Sequence, residues 1–482
     1  MAMTQRSASR RAGSAGGAGG GMALPMVRAP GAGADGAADV IVIGAGLAGL
    51  SAARQLLAQG VRVLVLEARG RAGGRVLSQR LRAGGVIDLG AQFMGDAQRH
   101  VAALVEEAGL RRVAAAVAGE GIYLAGGDAV PRRGARTGPP LSMIGRLDAL
   151  QASWRIERSA LSLRREDRLR LDGIDAASHL RGKTFLAPAF RAISGYIEGE
   201  MCMALAGISA FELLDQVASI GGMAGEAASA QWYLAEGAEG MTRHLADAIG
   251  PALLLDASVS GVVQDEGSVT VTARTGRYRA SRVVVAVPPQ LYGAIGLLPE
   301  LPPSWQAVLG AWRTGAVVKT ILVFREPWWR RSGLSGAIHS PGGLFGAAID
   351  ASPEEGLGIL VVFSTGEGAR ALGQMGREEE RIAAALRWLG QAFGGALPEL
   401  VEARSIDWTG DPFSLGGYAS RRGIGGWTAA PELFAPLGRI HFAGTETARG
   451  WRSFMEGAVE SGLRAAAEVL LAGSAPAGGR AA

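Results

Sequence analysis

The sequence predicts an α/β fold in which a domain built on a parallel sheet is interleaved along the chain with a second domain of mixed sheet and helices. Three observations predict it. A strand, a glycine turn, a helix and a second strand follow one another from Asp39 to Glu67. Hydrophobicity alternates with period two from Leu253 to Pro289, which is typical of a strand meander. Apolar runs at 316–324 and 358–365 indicate more strands, and residues 378–395 form an amphipathic helical pattern.

Length and composition narrow the class of protein. The chain has 482 residues, enough for more than one domain. Its net charge of +5 is spread thinly, without a basic block interleaved with aromatic residues, so we expect no nucleic-acid partner. Cys202 is the only cysteine, and the five histidines are scattered, so neither a disulfide nor a metal site is expected. The sequence contains no run of 18 or more apolar residues, so no membrane span is predicted.

The sequence predicts an unstructured tail at each end of the chain. Residues 1–38 are rich in glycine, alanine and serine and predict a disordered segment, and residues 473–482 predict a flexible one. Arg10 and Arg11 suggest a twin-arginine export signal, but the segment after them is too rich in glycine for an apolar core of a signal. We therefore expect a cytoplasmic protein, with periplasmic export as the alternative.

The first ordered segment carries a nucleotide-binding pattern. Val40–Ile43 suits a parallel strand that is buried on both faces. Gly44, Gly46 and Gly49 then complete G-x-G-x-x-G, and such glycines let the backbone approach a pyrophosphate at the start of a helix. Glu67, at the end of the next strand, would accept hydrogen bonds from a ribose diol. The context favours a Rossmann-like dinucleotide-binding domain over a generic α/β turn.

The residues after Glu67 indicate which dinucleotide. The stretch ARGRAGGRV adds a second glycine pair, Gly73 and Gly74, followed by Arg75. A simple nicotinamide-binding fold does not need this addition. It suits further contacts along an extended diphosphate, with Arg75 as the charge partner. The pattern therefore favours FAD over NAD.

Longer strings resemble a known family. GAGLAGL, LEARGRAGGR and DLGAQFMG resemble the flavin-containing amine oxidases, and RIHFAGTETARGWRSFMEGAVESGLRAAAEVL resembles the last flavin-binding segment of the monoamine oxidases. VVKTILVFREPWWR is similar to the lysine-bearing strand of the family, and GMTRHLADAIG, DASVSGV and VVVAVPP to its middle FAD segment. These strings follow the family order from Asp39 to Leu471, with a looser, helical stretch near 114–230. The chain resembles a bacterial-type flavin monoamine oxidase.

The resemblance implies a division of the chain and a noncovalent FAD site. An FAD-binding domain would comprise 39–112, 235–312 and 403–472, and a substrate domain 113–234 and 313–402. Glu67 would hold the adenosine ribose. A helix starting near Met455 would direct its free N–H groups to the flavin pyrimidine. The implied cofactor-binding residues are Gly44, Gly46, Ala48, Gly49, Glu67, Ala68, Arg69, Gly74, Arg75, Gly90, Ala91, Gln92, Phe93, Val259, Trp408, Thr445, Glu446 and Met455.

The resemblance also implies three catalytic positions. Tyr418 and Phe454 match the two rings that sandwich the amine against the flavin, with Phe454 lacking the hydroxyl that is common in the animal enzymes. Lys319 matches the lysine that holds a water against flavin N5. Taken singly, each ring is equally compatible with core packing, and Lys319 with a snorkelling lysine on an edge strand.

The implied reaction is the oxidation of a primary amine. Hydride passes from the amine carbon to flavin N5, O2 reoxidises the flavin and yields H2O2, and the imine hydrolyses to aldehyde and ammonia. Some members attach FAD through a cysteine one position before the cage tyrosine. This chain has Gly417 there, so the resemblance departs at this point and noncovalent FAD is expected.

Alternatives remain open at the level of sequence. An L-amino-acid oxidase would need an arginine facing the substrate carboxylate, and a polyamine oxidase would need acidic residues along the substrate tunnel. A desaturase or protoporphyrinogen-oxidase-like enzyme shares the scaffold, but its substrates carry no amine for the cage. A flavin-loaded binding module without catalysis is a further reading. The expected partners are a small amine and O2, and a homodimer is compatible with the sequence.

Overall fold

The computed structural model describes residues 38–115, 118–125, 128–132, 139 and 141–474. Apart from Ala38, Gly473 and Ser474, the predicted tails lie outside the described residues, and so does the Arg10–Arg11 pair.

Within these ranges the chain forms strands and α-helices that alternate along its length. The strands are β1 (Ala38–Ile43), β2 (Val63–Leu66), β3 (Ser78–Arg80), β4 (Val86–Asp88), β5 (Arg112–Ala114), β6 (Glu120–Ala125), β7 (Asp128–Arg132), β8 (Trp232–Leu234), β9 (Leu253–Leu254), β10 (Val259–Gln264), β11 (Val269–Ala273), β12 (Gly276–Val285), β13 (Gly296–Leu298), β14 (Arg313–Thr314), β15 (Val317–Phe324), β16 (Leu334–His339), β17 (Ala347–Asp350), β18 (Gly358–Thr365), β19 (Leu400–Asp407), β20 (Ser420–Arg421) and β21 (Ile440–Phe442). The helices are α1 (Leu47–Ala58), α2 (Arg99–Glu107), α3 (Met143–Leu161), α4 (Arg168–Leu171), α5 (Ala176–Arg181), α6 (Ala187–Met201), α7 (Ala210–Ser219), α8 (Met223–Ala227), α9 (Glu239–Ile249), α10 (Pro303–Gly310), α11 (Gly366–Gly373), α12 (Glu378–Phe393), α13 (Gly426–Ala429) and α14 (Met455–Ser474).

The first large sheet contains the nucleotide-binding pattern. Its strand order is β13-β10-β11-β12-β1-β2-β9, and β21 pairs with β12. β1 lies between β12 and β2 and runs parallel to both. β10, β11 and β12 form an antiparallel meander, as the period-two pattern predicts. The sheet thus joins segments from the start, the middle and the end of the chain.

The burial of β1 explains its uninterrupted apolar sequence. Val40 and Val42 pack into a core shared with α1, α9 and α14. Ile41 and Ile43 point the opposite way, into a core that includes β11, β12 and β21. Because successive side chains of a strand alternate between faces, a strand covered on both sides needs apolar residues at every position.

The second large sheet holds the lysine-bearing strand. Its order is β19-β15-β18-β17-β16-β6-β7, so β15 has an antiparallel neighbour on each side. All eight residues of β15 are buried. Lys319 therefore lies on an internal strand, which is incompatible with a snorkelling lysine on an edge strand.

Helices α3 to α8 form a layer beside this sheet. α6 and α7 pack with Val317 of β15 in one apolar cluster, which includes Met201 and Leu213. The helical character of residues 114–230 is only part of the structure, because β6 and β7 lie in the same stretch. These two strands are held by pairing with a distant segment, Ile122 opposite Ile338, so a local pattern does not reveal them.

The predicted amphipathic helix at 378–395 is confirmed as α12 (Glu378–Phe393). Three glutamates occupy its first turn, where they complement the positive end of the helix dipole, and Gly394 ends it in the left-handed conformation (φ 73°). None of the helices in the described ranges combines the length and the hydropathy needed to cross a membrane. The two sheets and the helical layer surround one large cavity.

Candidate active site

A cavity of about 1560 Å³ lies between the two sheets and the helical layer. Ligand pockets commonly measure about 300–1,000 Å³, so this one has room for an extended dinucleotide together with a small second molecule. Every predicted site residue other than Gly49 lines it. Residues separated by hundreds of positions in the chain are therefore brought to one space.

The turn between β1 and α1 fits a diphosphate. Gly46 is the N-cap of α1 and has no side chain to cap the first N–H groups, while Gly46, Leu47 and Ala48 face the cavity. Such uncapped N–H groups form an anion site. A Cβ at Gly49 would lie 1.9 Å from the Gly44 carbonyl oxygen, so Gly49 serves close packing of helix on strand and is not part of the cavity wall.

Glu67 follows β2 and is held from two sides. Its Oε2 accepts a hydrogen bond from the Ala45 amide (2.8 Å), and its Oε1 accepts one from the Arg69 amide (2.9 Å). A carboxylate has about four acceptor positions, so two remain for a diol. The residue is buried apart from the surface that it presents to the cavity. This geometry suits a ribose contact.

Arg69 and Arg75 tie the loop after Glu67 to the C-terminal part of the chain. Arg69 pairs with Asp411. Arg75 donates to both carboxylate oxygens of Glu446 (2.8 and 3.2 Å) and to the Gly417 carbonyl (3.0 Å). Both guanidinium groups line the cavity, and their contact with a bound diphosphate stays a prediction.

The far end of the cavity has the groups expected around a flavin ring. Residues 90–93 form one wall, and Trp408 is fixed beside them by a hydrogen bond to the Leu89 carbonyl (3.0 Å). Thr445 donates to the Phe454 carbonyl (3.0 Å), immediately before α14 begins at Met455. A helix starting at the cavity wall offers N–H groups and a positive dipole end to the pyrimidine ring. The residues present therefore fit FAD.

Lys319 reaches this wall from β15. Its Nζ donates to the Gly90 carbonyl (2.9 Å) and to Gln92 Oε1 (2.9 Å), and the side chain is buried. Burial lowers its pKa to about 7, although the nearby Asp88 carboxylate acts in the opposite direction. An ammonium group has three donors, and two are used. One bonding position is thus left on the cavity side, whichever protonation state is present.

Asp88 is the charge partner of this lysine. Burial raises the pKa of Asp88 to about 6, and the Lys319 charge and two hydrogen bonds oppose the rise. These bonds come from Ser78 Oγ (2.5 Å) and the Ala238 amide (2.9 Å). Asp88 is the first residue of the string DLGAQFMG, but the resemblance carried by that string implies no role for it, and only the fold shows that its carboxylate acts on Lys319.

The two predicted cage rings both reach the cavity. Tyr418 lies in the loop before β20, with its hydroxyl within hydrogen-bonding range of the Cys202 thiol, and burial raises its pKa well above the usual value. Phe454 packs edge-to-face on Trp451, with ring centroids 5.3 Å apart. Each ring keeps a partly accessible surface that faces the cavity. Tyr418, Phe454 and Lys319 are therefore brought to the same space.

The position before Tyr418 is tightly filled. A Cβ at Gly417 would lie 2.3 Å from Val317 Cγ2 and 2.8 Å from Val317 Cβ. Contacts this short require the β15 backbone to move. Gly417 therefore lacks the thiol for a covalent flavin link and also the space for any side chain.

Four glutamates that line the cavity lie outside the predicted set, Glu198, Glu200, Glu226 and Glu367, and two of them form a pair. Glu200 near the end of α6 and Glu226 on α8 are hydrogen-bonded to each other, and burial raises the pKa of both carboxyl groups. Glu200 keeps an accessible surface, Glu226 is partly buried, and both residues line the cavity. No spacing rule distinguishes these glutamates from the many others on helices.

The family is established by sequence comparison. The family model described as flavin containing amine oxidoreductase matches residues 47–470. A Mycobacterium tuberculosis protein named flavin-containing monoamine oxidase is 34% identical over 449 residues, which are 89% of this chain and 96% of that protein. An L-amino acid dehydrogenase of Synechocystis is 30% identical over 454 residues, 90% of this chain and 94% of that one.

A solved structure shares the fold. Putrescine oxidase bound to putrescine superposes with a TM-score of 0.83 at 28% identity, covering 90% of this chain and 99% of that one. The predicted fold class, the resemblance and FAD as the cofactor are confirmed. The chain belongs to the flavin-containing amine oxidoreductase family and is an FAD-dependent amine oxidase.

Proposed function

We propose that this enzyme oxidises a primary amine at a noncovalently bound FAD. The observation that carries the proposal is that Lys319, Tyr418 and Phe454 line the same cavity as the dinucleotide-binding segments. A dinucleotide-binding protein without amine chemistry has no need of a buried lysine and two aromatic rings lining the cofactor cavity. The presence of these three side chains at the cavity also favours an amine substrate over the large apolar substrates of a desaturase, which carry no amine for the two rings to orient.

The residues have separable tasks in this proposal. FAD, when bound, accepts the hydride and passes the electrons to O2, which leaves as H2O2. Tyr418 and Phe454 orient the amine nitrogen and keep water away from the carbon that is oxidised. Lys319 offers its remaining bonding position to one water molecule at the flavin edge. The released imine hydrolyses to aldehyde and ammonia in water.

The cavity favours an amine over an amino acid. Among the described residues the arginines that line it are Arg69, Arg75 and Arg421. The first two lie at the dinucleotide end, where they pair with Asp411 and Glu446. Arg421 is only 2% exposed, its Nη2 donates to Ser453 Oγ and its Nη1 lies 3.7 Å from Glu212 Oε1, so both terminal nitrogens face protein groups and not a substrate carboxylate. Because one relative is named an L-amino acid dehydrogenase, the substrate screen must also include amino acids.

A second candidate is the oxidation of a diamine. The Glu200–Glu226 pair lines the same cavity and interacts electrostatically with Tyr418. Two carboxyl groups that share a proton carry one negative charge, which would complement one distant ammonium group of a substrate. Putrescine, the ligand in the similar structure, is such a diamine. A plain alkyl monoamine would gain nothing from this pair.

Noncovalent binding of FAD is inferred from Gly417. The position has neither a thiol nor room for a side chain beside Val317. Acid precipitation should therefore leave a colourless protein pellet and a yellow supernatant. A yellow pellet after washing would contradict the inference.

One substrate screen tests the function. The purified, FAD-loaded protein is mixed with alkyl and aromatic monoamines, with α,ω-diamines of matched chain length, and with L-amino acids, and peroxide release is measured. Activity on monoamines supports the first proposal, and a strong preference for diamines that is lost in Glu200→Gln and Glu226→Gln supports the second. Activity restricted to amino acids refutes both. If the FAD-loaded protein releases no peroxide with monoamines, diamines or L-amino acids, the result favours a flavin-binding module without catalysis.

Cytoplasmic location and a homodimer are proposed on the sequence alone. The assignment of residues 113–234 and 313–402 to a substrate domain has the same basis.

A further inference from the structure

A group of charged residues lies beside the segment that leads into Phe454. We call it the charge cluster, and it consists of Glu212 and Asp215 on α7 together with Arg421, Arg422 and Arg452. All but the partly exposed Asp215 are buried. Burying ionic groups is unfavourable unless each is paired and hydrogen-bonded, so four of them in one place require a compensating arrangement. Trp427 supplies part of it: its Nε1 donates to Glu212 Oε2 (2.7 Å), and the Arg422 guanidinium lies 3.9 Å from its ring centroid.

The backbone beside the cluster is strained. Trp451 (φ 54°) and Ser453 (φ 75°) adopt the left-handed conformation, which residues with a Cβ rarely take. Such conformations persist only when surrounding contacts over-determine them, and they concentrate at functional sites. Trp451, Arg452 and Ser453 form the turn that leads into Phe454 and the start of α14 at Met455. The direction in which the Phe454 ring leaves the chain therefore depends on this turn.

One half of the turn is held by α7. The Trp451 amide donates to the Ser219 carbonyl (2.9 Å), Arg452 pairs with Asp215, and Gln216 Nε2 donates to the Arg452 carbonyl (3.1 Å). These contacts fix residues 451 and 452. They do not reach Ser453, the last residue before the ring.

The other half of the turn, Ser453, is bonded through its side chain to Arg421, and the Phe454 amide closes the turn by donating to the Trp451 carbonyl (3.1 Å). The Arg421 Nη2 donates to Ser453 Oγ (2.7 Å), while its Nη1 lies 3.7 Å from Glu212 Oε1. Arg421 belongs to β20 and stands three residues after Tyr418. The short segment that carries the first cage ring therefore also holds the residue beside the second ring.

We propose that Arg421 is a positioning residue for amine oxidation: by binding Ser453 Oγ it fixes the left-handed turn that sets the spacing between Phe454 and Tyr418. The proposal rests on the proposed function, in which the two rings orient the amine. Arg421 acts through Ser453, because that hydroxyl is the group to which its guanidinium donates among the described hydrogen bonds. Glu212 balances its charge and fixes its orientation.

The test compares variants that remove one contact each. Arg421→Met removes the guanidinium, and Ser453→Ala removes the hydroxyl while leaving the charge cluster intact, so it stays informative if the first variant folds poorly. Arg422→Met is the matched control, because this arginine has the same type and burial but bonds the Ala430 carbonyl and not Ser453. Arg421→Lys keeps one donor.

Two readouts separate positioning from general stability. The first is the rate of anaerobic flavin reduction by an amine. Arg421→Met and Ser453→Ala should each slow it about tenfold, because small displacements of an orienting group have effects of this order. Arg421→Lys should recover part of the rate, and Arg422→Met should lower the melting temperature and leave the rate unchanged. The second readout is the visible spectrum of bound FAD, which should change in Arg421→Met and Ser453→Ala in the same way as we expect it to change in Phe454→Ala.

A double-mutant cycle decides the point. If Arg421 acts through the ring, Arg421→Met should cause no further slowing in a Phe454→Ala background. An equal slowing in both backgrounds overturns the proposal, and so does a wild-type rate in Ser453→Ala. If none of the amines tested reduces the flavin of the wild-type protein, the proposed function fails. The spectra then still test whether Arg421 sets the position of Phe454, and unchanged spectra overturn that.

Discussion

Lys319 is subject to two opposing electrostatic effects. Removal from water disfavours its charged form, and the neighbouring Asp88 carboxylate favours it. The outcome is a pKa of about 7, so that a small change in the surroundings shifts the lysine between its two forms at physiological pH. O2 acquires negative charge as it is reduced, and an ammonium group nearby stabilises that charge.

We therefore expect flavin reoxidation to slow as pH rises through about 7, because Lys319 then loses its proton. Asp88→Asn should move this transition to lower pH by about one pH unit, since the variant removes the charge that raises the lysine pKa. Stopped-flow reoxidation of the reduced enzyme at a series of pH values measures it. Lys319→Met should retain FAD, react slowly with O2 and show no such transition. A transition that moves upward in Asp88→Asn would contradict the assignment.

The Gly417 site makes a second prediction at this scale. Gly417→Ala should destabilise the protein by about 1–3 kcal/mol, because its Cβ overlaps Val317 on an internal strand. Val317→Ala removes the overlapping methyl groups and should restore much of the loss in the double variant. Thermal melting of the four proteins in a cycle tests the coupling. Additive losses would show that the two residues do not compete for the same space.

Single residues differ in how far the sequence reveals them. Glu67, Lys319, Tyr418 and Phe454 stand in strings that resemble a family, and all four line the cavity. Their individual roles stay predictions. Glu200, Glu226 and Arg421 carry no motif, and only the packing of helices and loops brings them to the site. A cavity assembled from distant segments has no signature in local spacing.

At the scale of elements, α14 connects the site to helix α2. Its Glu456 accepts hydrogen bonds from the backbone amides of His100 (3.0 Å) and Val101 (2.9 Å), at the start of α2. The N-cap residue of α2, Gln98, contributes no side-chain cap. Glu456 therefore caps a helix to which it does not belong.

Removing this cap should loosen the contact between α2 and α14. Glu456→Ala should lower stability by about 1–2 kcal/mol, the usual effect of losing a helix cap, which corresponds to about 1–3 °C in Tm for a long chain. Glu456→Gln keeps an acceptor and loses the charge, so its melting temperature should lie between those of the wild type and Glu456→Ala. Thermal melting of the FAD-loaded variants measures both. An unchanged Tm in Glu456→Ala would mean that water satisfies the amides equally well.

The elements that the sequence predicts share one property. The β1–α1 turn, the β10–β12 meander and α12 are each stabilised by neighbours in sequence, so periodicity and glycine positions reveal them. β6 and β7 complete a sheet whose other strands come from 317–407. Their pairing with β16 is a long-range contact, and propensity alone does not predict it.

At the scale of the whole molecule, the cavity is a binding site for a large cofactor that is held without a covalent bond. Ligand that binds only the folded state stabilises it by mass action. We expect Tm to rise by about 1–2 °C for each tenfold increase in free FAD above saturation, which is about 1.4 kcal/mol spread over a chain of this length. Melting curves across an FAD series test this. In Glu67→Ala the same Tm should require more FAD, and a Tm independent of FAD would contradict reversible binding.

The pairing of Arg75 with Glu446 joins residues that are 371 positions apart, and β21, at 440–442, completes the first sheet. A nascent chain on the ribosome contains the glycine turn from early in its synthesis, but the wall opposite it does not exist until the last segment has emerged. The order of synthesis therefore separates the making of the diphosphate turn from the making of the pocket. We therefore expect FAD to bind after translation, and a chain truncated before residue 440 should be degraded without ever having carried the cofactor.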